Sequence, residues 1–485
     1  MGFVALATGA EAEPMVKTMV SALAHRPGAS AASLRLFATP SGDWWVAGSP
    51  AGLTDGGLRR IVEPGLGRPP TALFCDGSPP DSFALAAFAE EVGPVLARGP
   101  LGLRPLYYLE RRGRPVAFAS EFKAFGALSG DIRVFPPGHI WVGGAFRPFS
   151  LIHDWPCGPV AARDLEVAAR EVRQIIEQAV ERGCRAPRPG GTAPEPGAAP
   201  VAIFLSGGID SSAVAAAAAV RLGAGNLRSF CVGTPVSEDL PKARQVARHL
   251  GLSHTEGVFE ASDVIRILPE VIYHLESCDP PLVRSSVANY LVAQMAAEAG
   301  CGQALCGEGG DELFAGYAYL KSLGREAVPA ELIALLEGGH GNGFQRVDRM
   351  TSAHGLEARV PLAALDLLAY ALRIPIEWKI GPETGQEKLV LRRAFAGALP
   401  TAILQRPKAK FYEGSGAGEV MAEVAERLVT DADFERQRGR ALAPGRVIDT
   451  KEQLLYLRLF RERFDKPSAL DTVSWTRTLG AAARS

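Results

Sequence analysis

The sequence predicts an α/β protein with two domains: a β-rich domain over residues 1–155 and a domain with a doubly wound parallel sheet over residues 160–485. Three observations lead to this fold class. Short apolar runs between Gly and Pro residues fill the first 150 positions, as in packed antiparallel sheets. Strand-like and helix-like segments alternate after about residue 200, which is typical of βαβ units. The length of 485 residues suits two or three domains.

The N-terminal strands are predicted from apolar runs bounded by turn residues. Pro and Gly punctuate these runs at intervals that leave room for short strands only. The predicted strands are Phe3–Ala7, Leu34–Ala38, Trp44–Ala47, Thr71–Cys75, Pro105–Leu109, Val116–Ala119 and His139–Val142.

A helix and a loop are predicted between the two domains. Apolar residues such as Leu165, Val172 and Ile176 recur at helical spacing over residues 164–182, and Asp164 is a suitable N-cap. Residues 185–199 are rich in Pro and Gly, so we expect a mobile surface loop there.

The C-terminal domain begins with the apolar run Val201–Leu205, which is typical of a buried parallel strand. Further strands are predicted at Leu227–Val232 and Gln303–Cys306, and helices at Pro241–Leu250 and Ser286–Ala299. In such sheets, ligands bind beyond the carboxyl ends of the strands.

Composition excludes several classes of function. Acidic and basic residues nearly cancel, 53 against 52, so no overall field favours nucleic acid or an anionic membrane. No apolar run is long enough for a membrane span, and no signal peptide is evident. Seven cysteines without a CxxC pair are expected to be reduced thiols, and eight scattered histidines suggest no metal cluster. The sequence therefore predicts a cytoplasmic protein.

The first motif, Ser206-Gly207-Gly208-Ile209-Asp210-Ser211-Ser212, lies between a predicted strand and a predicted helix. Backbone N–H groups and the positive end of the helix dipole would make this turn a cradle for an anion. The motif resembles the pyrophosphate loop (SGGxDS) of the ATP pyrophosphatase superfamily, whereas a lone glycine turn would match fewer positions. The resemblance implies ATP as a ligand, with nucleotide contacts from Ser206, Gly207, Gly208, Asp210, Ser211 and Ser212, and from Leu205, Val232 and Gly307.

The second motif is Cys306-Gly307-Glu308-Gly309-Gly310-Asp311-Glu312, in which glycines flank three carboxylates after a predicted strand. Carboxylates this close together are suited to binding Mg²⁺ that also binds phosphates. The alternative is an acidic surface turn without a ligand. The motif resembles the GEGxDE sequence of the asparagine synthetase C-terminal domain. The resemblance implies that Glu308 lies at the reacting carboxyl group and that Asp210 and Asp311 hold Mg²⁺.

Two further stretches follow in the order of that family. The stretch Arg346–Pro361 resembles the R-x-D-R…G-x-E-x-R-x-P-F block, although Leu362 replaces its Phe. The stretch Gln405–Gly416 resembles the R-x-K-x-x-F…G-x-G loop. By this resemblance Lys408 stabilises the charge that develops on the acyl-adenylate.

The N-terminal part resembles the glutaminase domain of asparagine synthetases in the stretches Arg98–Tyr108, Phe118–Ala124 and Phe135–His139. This implies an Ntn-type αββα β-sandwich. The active-site positions differ, however: Gly2 replaces the cysteine nucleophile, Phe74-Cys75-Asp76-Gly77 replaces the Asn-Gly-Glu that binds glutamine, and Gly99 replaces an aspartate. Cys75 is expected to be a packed structural thiol. The sequence thus predicts a degenerate domain without glutaminase activity.

The family resemblance implies ATP-dependent amide-bond formation, in which a carboxylate is adenylated and then attacked by an amine. Either Glu308 or Glu357 would take a proton from the attacking ammonium. Without internal ammonia, the expected reaction is that of a lasso peptide cyclase. Such an enzyme joins the N-terminal amine of a leader-free core peptide to an Asp or Glu side chain, with the precursor peptide and a leader protease or leader-recognition protein as partners.

Three alternatives to the cyclase stay open at the level of sequence. They are an ammonia-dependent amidotransferase, a β-lactam synthetase and a non-catalytic scaffold that binds nucleotide or peptide. β-Lactam-forming members replace the first Glu of GEGxDE with Tyr, so Glu308 argues against that alternative.

Overall fold

The computed structural model describes residues 4–7, 12–26, 33–37, 44–48, 72–78, 82–89, 93–126, 128–155, 162–185, 199–408 and 411–476. Side chains are not described for strand residues 72–78, so the packing predicted for Cys75 lies outside the described residues, as do Gly2 and most of the loop 185–199. Five of the seven cysteines are described with their side chains, and all five are buried free thiols.

The N-terminal part consists of two antiparallel sheets. One has the strand order β2-β3-β1-β8-β7-β9 and the other has the order β11-β10-β6-β5-β4. The strands are Val4–Ala7 (β1), Ser33–Phe37 (β2), Trp44–Gly48 (β3), Ala72–Ser78 (β4), Ser82–Ala89 (β5), Gly93–Arg98 (β6), Tyr107–Arg111 (β7), Arg114–Ala119 (β8), Asp131–Val134 (β9), His139–Val142 (β10) and Ala145–Pro148 (β11).

The two sheets share one apolar core. Val46 and Phe118 of the first sheet and Leu96 and Trp141 of the second belong to the same buried cluster, and the Phe118 and Trp141 rings lie 5.0 Å apart. Helix Ala12–Ala22 (α1) contacts β1 and β3 of the first sheet. The β-rich prediction agrees with this arrangement, and the Ntn-type assignment stays a prediction.

The C-terminal part contains a parallel sheet in the order β14-β13-β12-β15-β16. Its strands are Val201–Phe204 (β12), Leu227–Gly233 (β13), Ser253–Val258 (β14), Gln303–Leu305 (β15) and Glu357–Arg359 (β16), and a small hairpin adds Ala441–Ala443 (β17) and Arg446–Val447 (β18). Successive side chains of β12 point to opposite faces of the sheet: Ala202 belongs to one buried apolar cluster and Ile203 to another. The sheet therefore has an apolar core on each face, as predicted.

Helices pack against both faces of this sheet, and further helices of the C-terminal part pack on these. In chain order they are Leu165–Arg185 (α2), Ile209–Leu222 (α3), Asp239–Leu250 (α4), Ala261–Leu275 (α5), Pro280–Glu298 (α6), Gly310–Phe314 (α7), Val328–Gly338 (α8), Gly343–Ser352 (α9), Leu365–Ala371 (α10), Ile376–Lys379 (α11), Leu389–Ala394 (α12), Thr401–Leu404 (α13), Phe411–Gly414 (α14), Ala417–Leu428 (α15), Asp431–Gln437 (α16), Lys451–Arg463 (α17) and Pro467–Asp471 (α18). The Asp164 carboxylate accepts the Val167 N–H at 2.8 Å, so the predicted cap of α2 is present. Across the described segments, none of the helices has the length and apolar character to cross a membrane.

The two parts meet through buried charged side chains, which we call the interface network. Arg26 and Arg104 from the N-terminal part both pair with Asp348, at 3.0 and 2.8 Å, and Arg349 pairs with Glu121 at 2.9 Å. The network also includes Lys123, Glu276, Glu357 and Arg359. The predicted domain division at residues 155–160 stays a prediction.

Candidate active site

A cleft opens at the carboxyl ends of β12, β13 and β15, where the parallel sheet was expected to bind a ligand. It encloses about 980 Å³ of space, including solvent at its open mouth. Among the residues predicted as a site, the cleft brings together Leu205, Ser206, Gly208, Asp210, Ser211, Val232, Gly307, Glu308, Asp311 and Lys408.

The loop between β12 and α3 is shaped by two glycines and two serines. Gly207 has φ +69°, and a Cβ there would lie 2.5 Å from Lys242 Cβ and 2.6 Å from the Lys242 backbone, so a side chain has no room. The Ser206 and Ser211 hydroxyls lie 3.1 Å apart, and the Ser206 N–H donates to Ser211 Oγ at 3.2 Å. These hydroxyls fix the turn that leads into the helix.

The amino end of α3 has the features of an anion site. Gly208 is its N-cap and has no side chain that could cap the first-turn N–H groups. These groups and the helix dipole favour negative charge in the cleft. The buried Ser212 hydroxyl has no hydrogen-bond partner within the described residues, and Ser212 does not line the cleft.

Two carboxylates and two lysines, which we call the carboxylate–lysine cluster, lie beside this loop. The Lys388 ammonium contacts Asp210 and lies 2.6 Å from Asp311 Oδ1, whereas Lys408 Nζ lies 2.7 Å from Asp311 Oδ2. Asp311 therefore has an ammonium group on each of its oxygens.

The lysines control the charge of this cluster. Burial by itself would raise the pKa of Asp311, but the ammonium groups of Lys388 and Lys408 hold it below its ordinary value. Burial would likewise lower the pKa of Lys408, but Asp311 and Asp210 raise it above its ordinary value. Both groups are therefore charged at neutral pH.

The glycines of the second motif allow the close approach of Asp210. A Cβ at Gly310 would lie 2.3 Å from Asp210 Oδ1, and a Cβ at Gly307 would lie 2.8 Å from the Ser211 backbone nitrogen. The motif at 306–312 is thus packed directly against the first motif at 206–212.

The residues present fit a magnesium ion that shares its ligands with phosphate. Asp210 Oδ1 is buried and has no hydrogen-bond partner among the residues that the structure describes. The same part of the chain contains no group of three or more Asp, Glu, His or Cys suited to a metal. Two carboxylates are the usual protein contribution to a Mg²⁺ ion that also binds phosphates and water.

Glu308 and Glu357, the two candidate bases, occupy different places. Glu308 lines the cleft, and Arg346 donates to its Oε1 at 3.2 Å. Glu357 is buried in the interface network, where Arg104 donates to Oε1 at 3.2 Å and Arg359 to Oε2 at 2.9 Å. In the pairing of β16 with β15, Glu357 lies opposite Gln303, which is the first residue of β15. The cleft lies beyond the last residue of β15. The structure thus brings Glu308 but not Glu357 into the cleft, and the role of either as a base stays a prediction.

The other end of the cleft is apolar. Phe204, Leu205, Phe230, Val232 and Val292 form its walls. The Leu205 N–H already donates to the Phe230 carbonyl at 2.9 Å, so it is not free for a ligand. The cleft thus joins a charged end to an apolar end.

Sequence reasoning missed two cations of the site. Lys388 has φ +58° and a fully buried side chain, and its surrounding sequence carries no recognised motif. Arg406 lies in a quoted motif without an assigned role; it donates to the Ser206 carbonyl at 3.1 Å and to Asp239 Oδ1 at 2.7 Å. Burial nevertheless raises the pKa of Asp239.

Comparisons with known proteins agree with this geometry. A family model described as Asparagine synthase matches residues 171–337 and 328–482. Asparagine synthetase B [glutamine-hydrolyzing] of Escherichia coli (strain K12) is 32% identical over 409 residues, which cover 81% of this chain and 71% of that protein. Asparagine synthetase [glutamine-hydrolyzing] 2 of Arabidopsis thaliana is 33% identical over 78% of this chain and 66% of its own length.

A third relative is the probable asparagine synthetase [glutamine-hydrolyzing] of Schizosaccharomyces pombe, 32% identical over 79% of this chain and 72% of its own length. Among solved structures, the NH3-dependent NAD synthetase from Campylobacter jejuni is matched with a TM-score of 0.26 and 14% identity, over 66% of this chain and all of that one. This structural similarity is too low to support an argument.

Proposed function

Because the chain belongs to the asparagine synthase family, we propose that it is an ATP-dependent carbon–nitrogen ligase that forms AMP. It adenylates a carboxylate, releases pyrophosphate, and lets an amine attack the acyl-adenylate. A carboxylate does not react with an amine directly because oxide is a poor leaving group, whereas AMP is a good one.

The observation that carries this proposal is the carboxylate–lysine cluster at the end of the Ser206–Ser212 loop. The uncapped N–H groups of α3 bind the phosphates that leave. Lys388 and Lys408 lie within 3 Å of Asp311, so their ammonium groups are already in place to meet charge that develops between the phosphates and the carboxylate. Asp210 and Asp311 would hold Mg²⁺, which neutralises phosphate charge when bound.

We assign Glu308 as the base that takes a proton from the attacking amine. An ammonium group must lose a proton before it attacks, and Glu308 is the candidate base that lines the cleft. Arg346 holds one of its oxygens at 3.2 Å, which leaves the other oxygen for the substrate.

For the substrate, we propose a leader-free core peptide whose N-terminal amine attacks its own adenylated Asp or Glu side chain, as in lasso peptide cyclases. The support comes from the positions that would bind glutamine. Phe74-Cys75-Asp76-Gly77 stands in place of the Asn-Gly-Glu that binds glutamine, and Gly99 stands in place of an aspartate. A Cβ at Gly99 would lie 3.3 Å from the Phe83 carbonyl oxygen, so a longer side chain would be crowded there. An amine from the substrate then replaces ammonia from glutamine, and a leader protease would supply the free peptide.

An ammonia-dependent asparagine synthetase-like enzyme is the second candidate. The names of the relatives favour asparagine as its product, because each of them is an asparagine synthetase, although each name also says glutamine-hydrolyzing. A non-catalytic scaffold is disfavoured by the intact cluster of Asp210, Asp311, Lys388 and Lys408.

The test is pyrophosphate release from ATP and Mg²⁺, with mass spectrometry of the products. The acceptors are a synthetic core peptide with a free amino terminus and an internal Asp or Glu, aspartate with ammonia, and a β-amino acid. We expect the peptide to lose one water as AMP forms. Asparagine as the product would establish the second candidate, and a β-lactam would indicate a β-lactam synthetase. No AMP with any acid would contradict the proposed activity.

A further inference from the structure

One polar side chain at the apolar end of the cleft has no role in the proposed activity. Asn289 lines the cleft together with Phe230, Val232 and Val292. Only 4% of the residue is exposed, and its carboxamide oxygen has no hydrogen-bond partner among the described residues.

The position of Asn289 follows from the packing of helix α6. A Cβ at Gly257 would touch both Met295 Sδ, at 2.6 Å, and Val232 Cγ1, at 3.1 Å, so Met295 lies beside the end of β13. Asn289 precedes Met295 by six residues, about 9 Å along the helix. This helix contacts β13, and both Asn289 and Val292 line the cleft, so Asn289 lies among the apolar residues of its lining.

A buried amide oxygen without a partner is costly, and buried polar groups in folded proteins are normally paired. Gln345 is also 4% exposed, but its amide nitrogen donates to the Leu275 carbonyl at 2.8 Å. The Asn289 oxygen thus belongs to a residue that lines the cleft and has no partner among the described residues, which leaves it available to a group that enters the cleft.

We propose that Asn289 is a specificity-determining residue that selects adenine by hydrogen bonding to the edge of the base. This inference rests on the proposed use of ATP, since the phosphates must lie at the charged end for the base to reach the apolar end. Adenine carries a 6-amino donor beside a ring-nitrogen acceptor, and a carboxamide matches that pair with its own acceptor and donor. Val232 and Val292 would contact the faces of the ring without distinguishing one purine from another.

The experiment measures equilibrium binding of ATP and of purine riboside triphosphate, which lacks the 6-amino group, to the whole protein by calorimetry. We expect the natural protein to bind ATP about tenfold more tightly, the value of one neutral hydrogen bond. In Asn289→Leu, the dissociation constant for purine riboside triphosphate divided by that for ATP should fall to about one. Val292→Ala is the matched control, because it removes an apolar contact from the same wall and should weaken both nucleotides equally.

Thermal unfolding separates a binding role from a structural one. Asn289→Leu removes an unpartnered buried oxygen, so its Tm should rise or stay unchanged while the discrimination is lost. If leucine does not fit and the variant fails to fold, Asn289→Ala provides the same ratio without added volume. An unchanged ratio in the folded variant, or no preference in the natural protein, would overturn the assignment.

Failure of this inference can be told from failure of the proposed function. If the natural protein binds ATP but forms AMP with no acid, the ligase activity is wrong while the nucleotide ratio still decides the role of Asn289. If it binds neither nucleotide at millimolar concentration, both proposals are overturned.

Discussion

At the scale of single residues, the cleft balances two carboxylates against two ammonium groups. Asp311 pairs with Lys388 through one oxygen and with Lys408 through the other. Lys388 is completely buried, whereas about a quarter of the Lys408 side chain is exposed, 26%. Lys388 is thus a fixed part of the framework, and Lys408 is the lysine that can turn toward a reacting group.

Replacing Lys408 with alanine should slow product formation by about 10²–10³-fold, because a positioned charge on the transition state is lost. The fold should be unchanged, since the side chain is partly exposed. Single-turnover formation of AMP, with circular dichroism for the fold, measures this. Lys451→Ala, at the start of helix α17, is the control: this lysine pairs with Glu426 and Asp431 and does not line the cleft, so turnover should be unchanged. Turnover of Lys408→Ala close to that of the control would remove Lys408 from its proposed role.

At the scale of elements, the site depends on two tight turns packed against each other. The Ser206–Ser212 turn and the Gly307–Asp311 turn leave Asp210 beside Gly310, with no space for another carbon atom. Each turn follows a strand of the parallel sheet, so the two adjacent strands β12 and β15 fix the distance between the turns.

Gly310→Ala should reduce ATP-dependent turnover at least tenfold, because the new methyl group would displace the Asp210 carboxylate from Lys388. Steady-state kinetics with ATP as the varied substrate measures the loss. Gly324→Ala is the matched control: no atom lies within 4 Å of its added Cβ. Equal activity of the two variants would mean that Asp210 tolerates the displacement.

These elements also show how far the sequence predicts the site. The strand, turn and helix at 201–222 were predicted because an apolar run, two glycines and a helix start are all local signals. Lys388 was missed because its partner Asp210 lies 178 residues away, and no local pattern specifies a buried lysine. Glu357 was named as a candidate base, but its carboxylate accepts from Arg104, which lies 253 residues away in the interface network. Long-range contacts decided both cases.

At the scale of the whole molecule, the interface network joins the two parts through buried charge. Arg26 and Arg104 reach Asp348 from the N-terminal part, and Arg349 reaches Glu121 from the C-terminal part. Breaking a buried pair leaves its partner uncompensated, which costs more than the pair contributes when it is intact.

Asp348→Asn should therefore destabilise the protein by at most about 3–5 kcal/mol, because two buried arginines lose their shared carboxylate and each keeps one other, Glu121 for Arg26 and Glu357 for Arg104. Urea unfolding measures this free energy. Asp366→Asn is the control, since it breaks an exposed pair with Arg182, and it should cost at most about 1 kcal/mol. A loss for Asp348→Asn as small as that of the control would show that the network contributes little to stability.

Acid should destabilise the protein below pH 6.5. His25 and His274 have rings 4.6 Å apart, and burial, together with Lys123, lowers the pKa of each to about 2. The unfolded chain then binds protons that the folded chain does not, so each histidine removes about 1.4 kcal/mol per pH unit as the pH falls. Burial raises the pKa of Glu276 to about 7, which acts in the opposite direction between pH 4.5 and 7.

Burial also lowers the pKa of His340 to about 3 and that of His354 to about 4, so four histidines act against Glu276. We therefore expect the free energy of unfolding to fall between pH 6.5 and 5. Urea unfolding at several pH values measures the slope, and His274→Gln should reduce it. A free energy that is constant or increases on acidification over this range would contradict the expectation.

The interface network also limits the exchange of either part of this chain during evolution. Arg26, Arg104, Glu121 and Lys123 come from one part, and Glu276, Asp348, Arg349 and Glu357 come from the other. If either part were exchanged for an unrelated domain, the charged side chains of the other part would remain buried without their partners. Selection can thus retain the N-terminal part for its charges alone, whether or not it performs chemistry, and gene fusions or deletions at this junction should be rare.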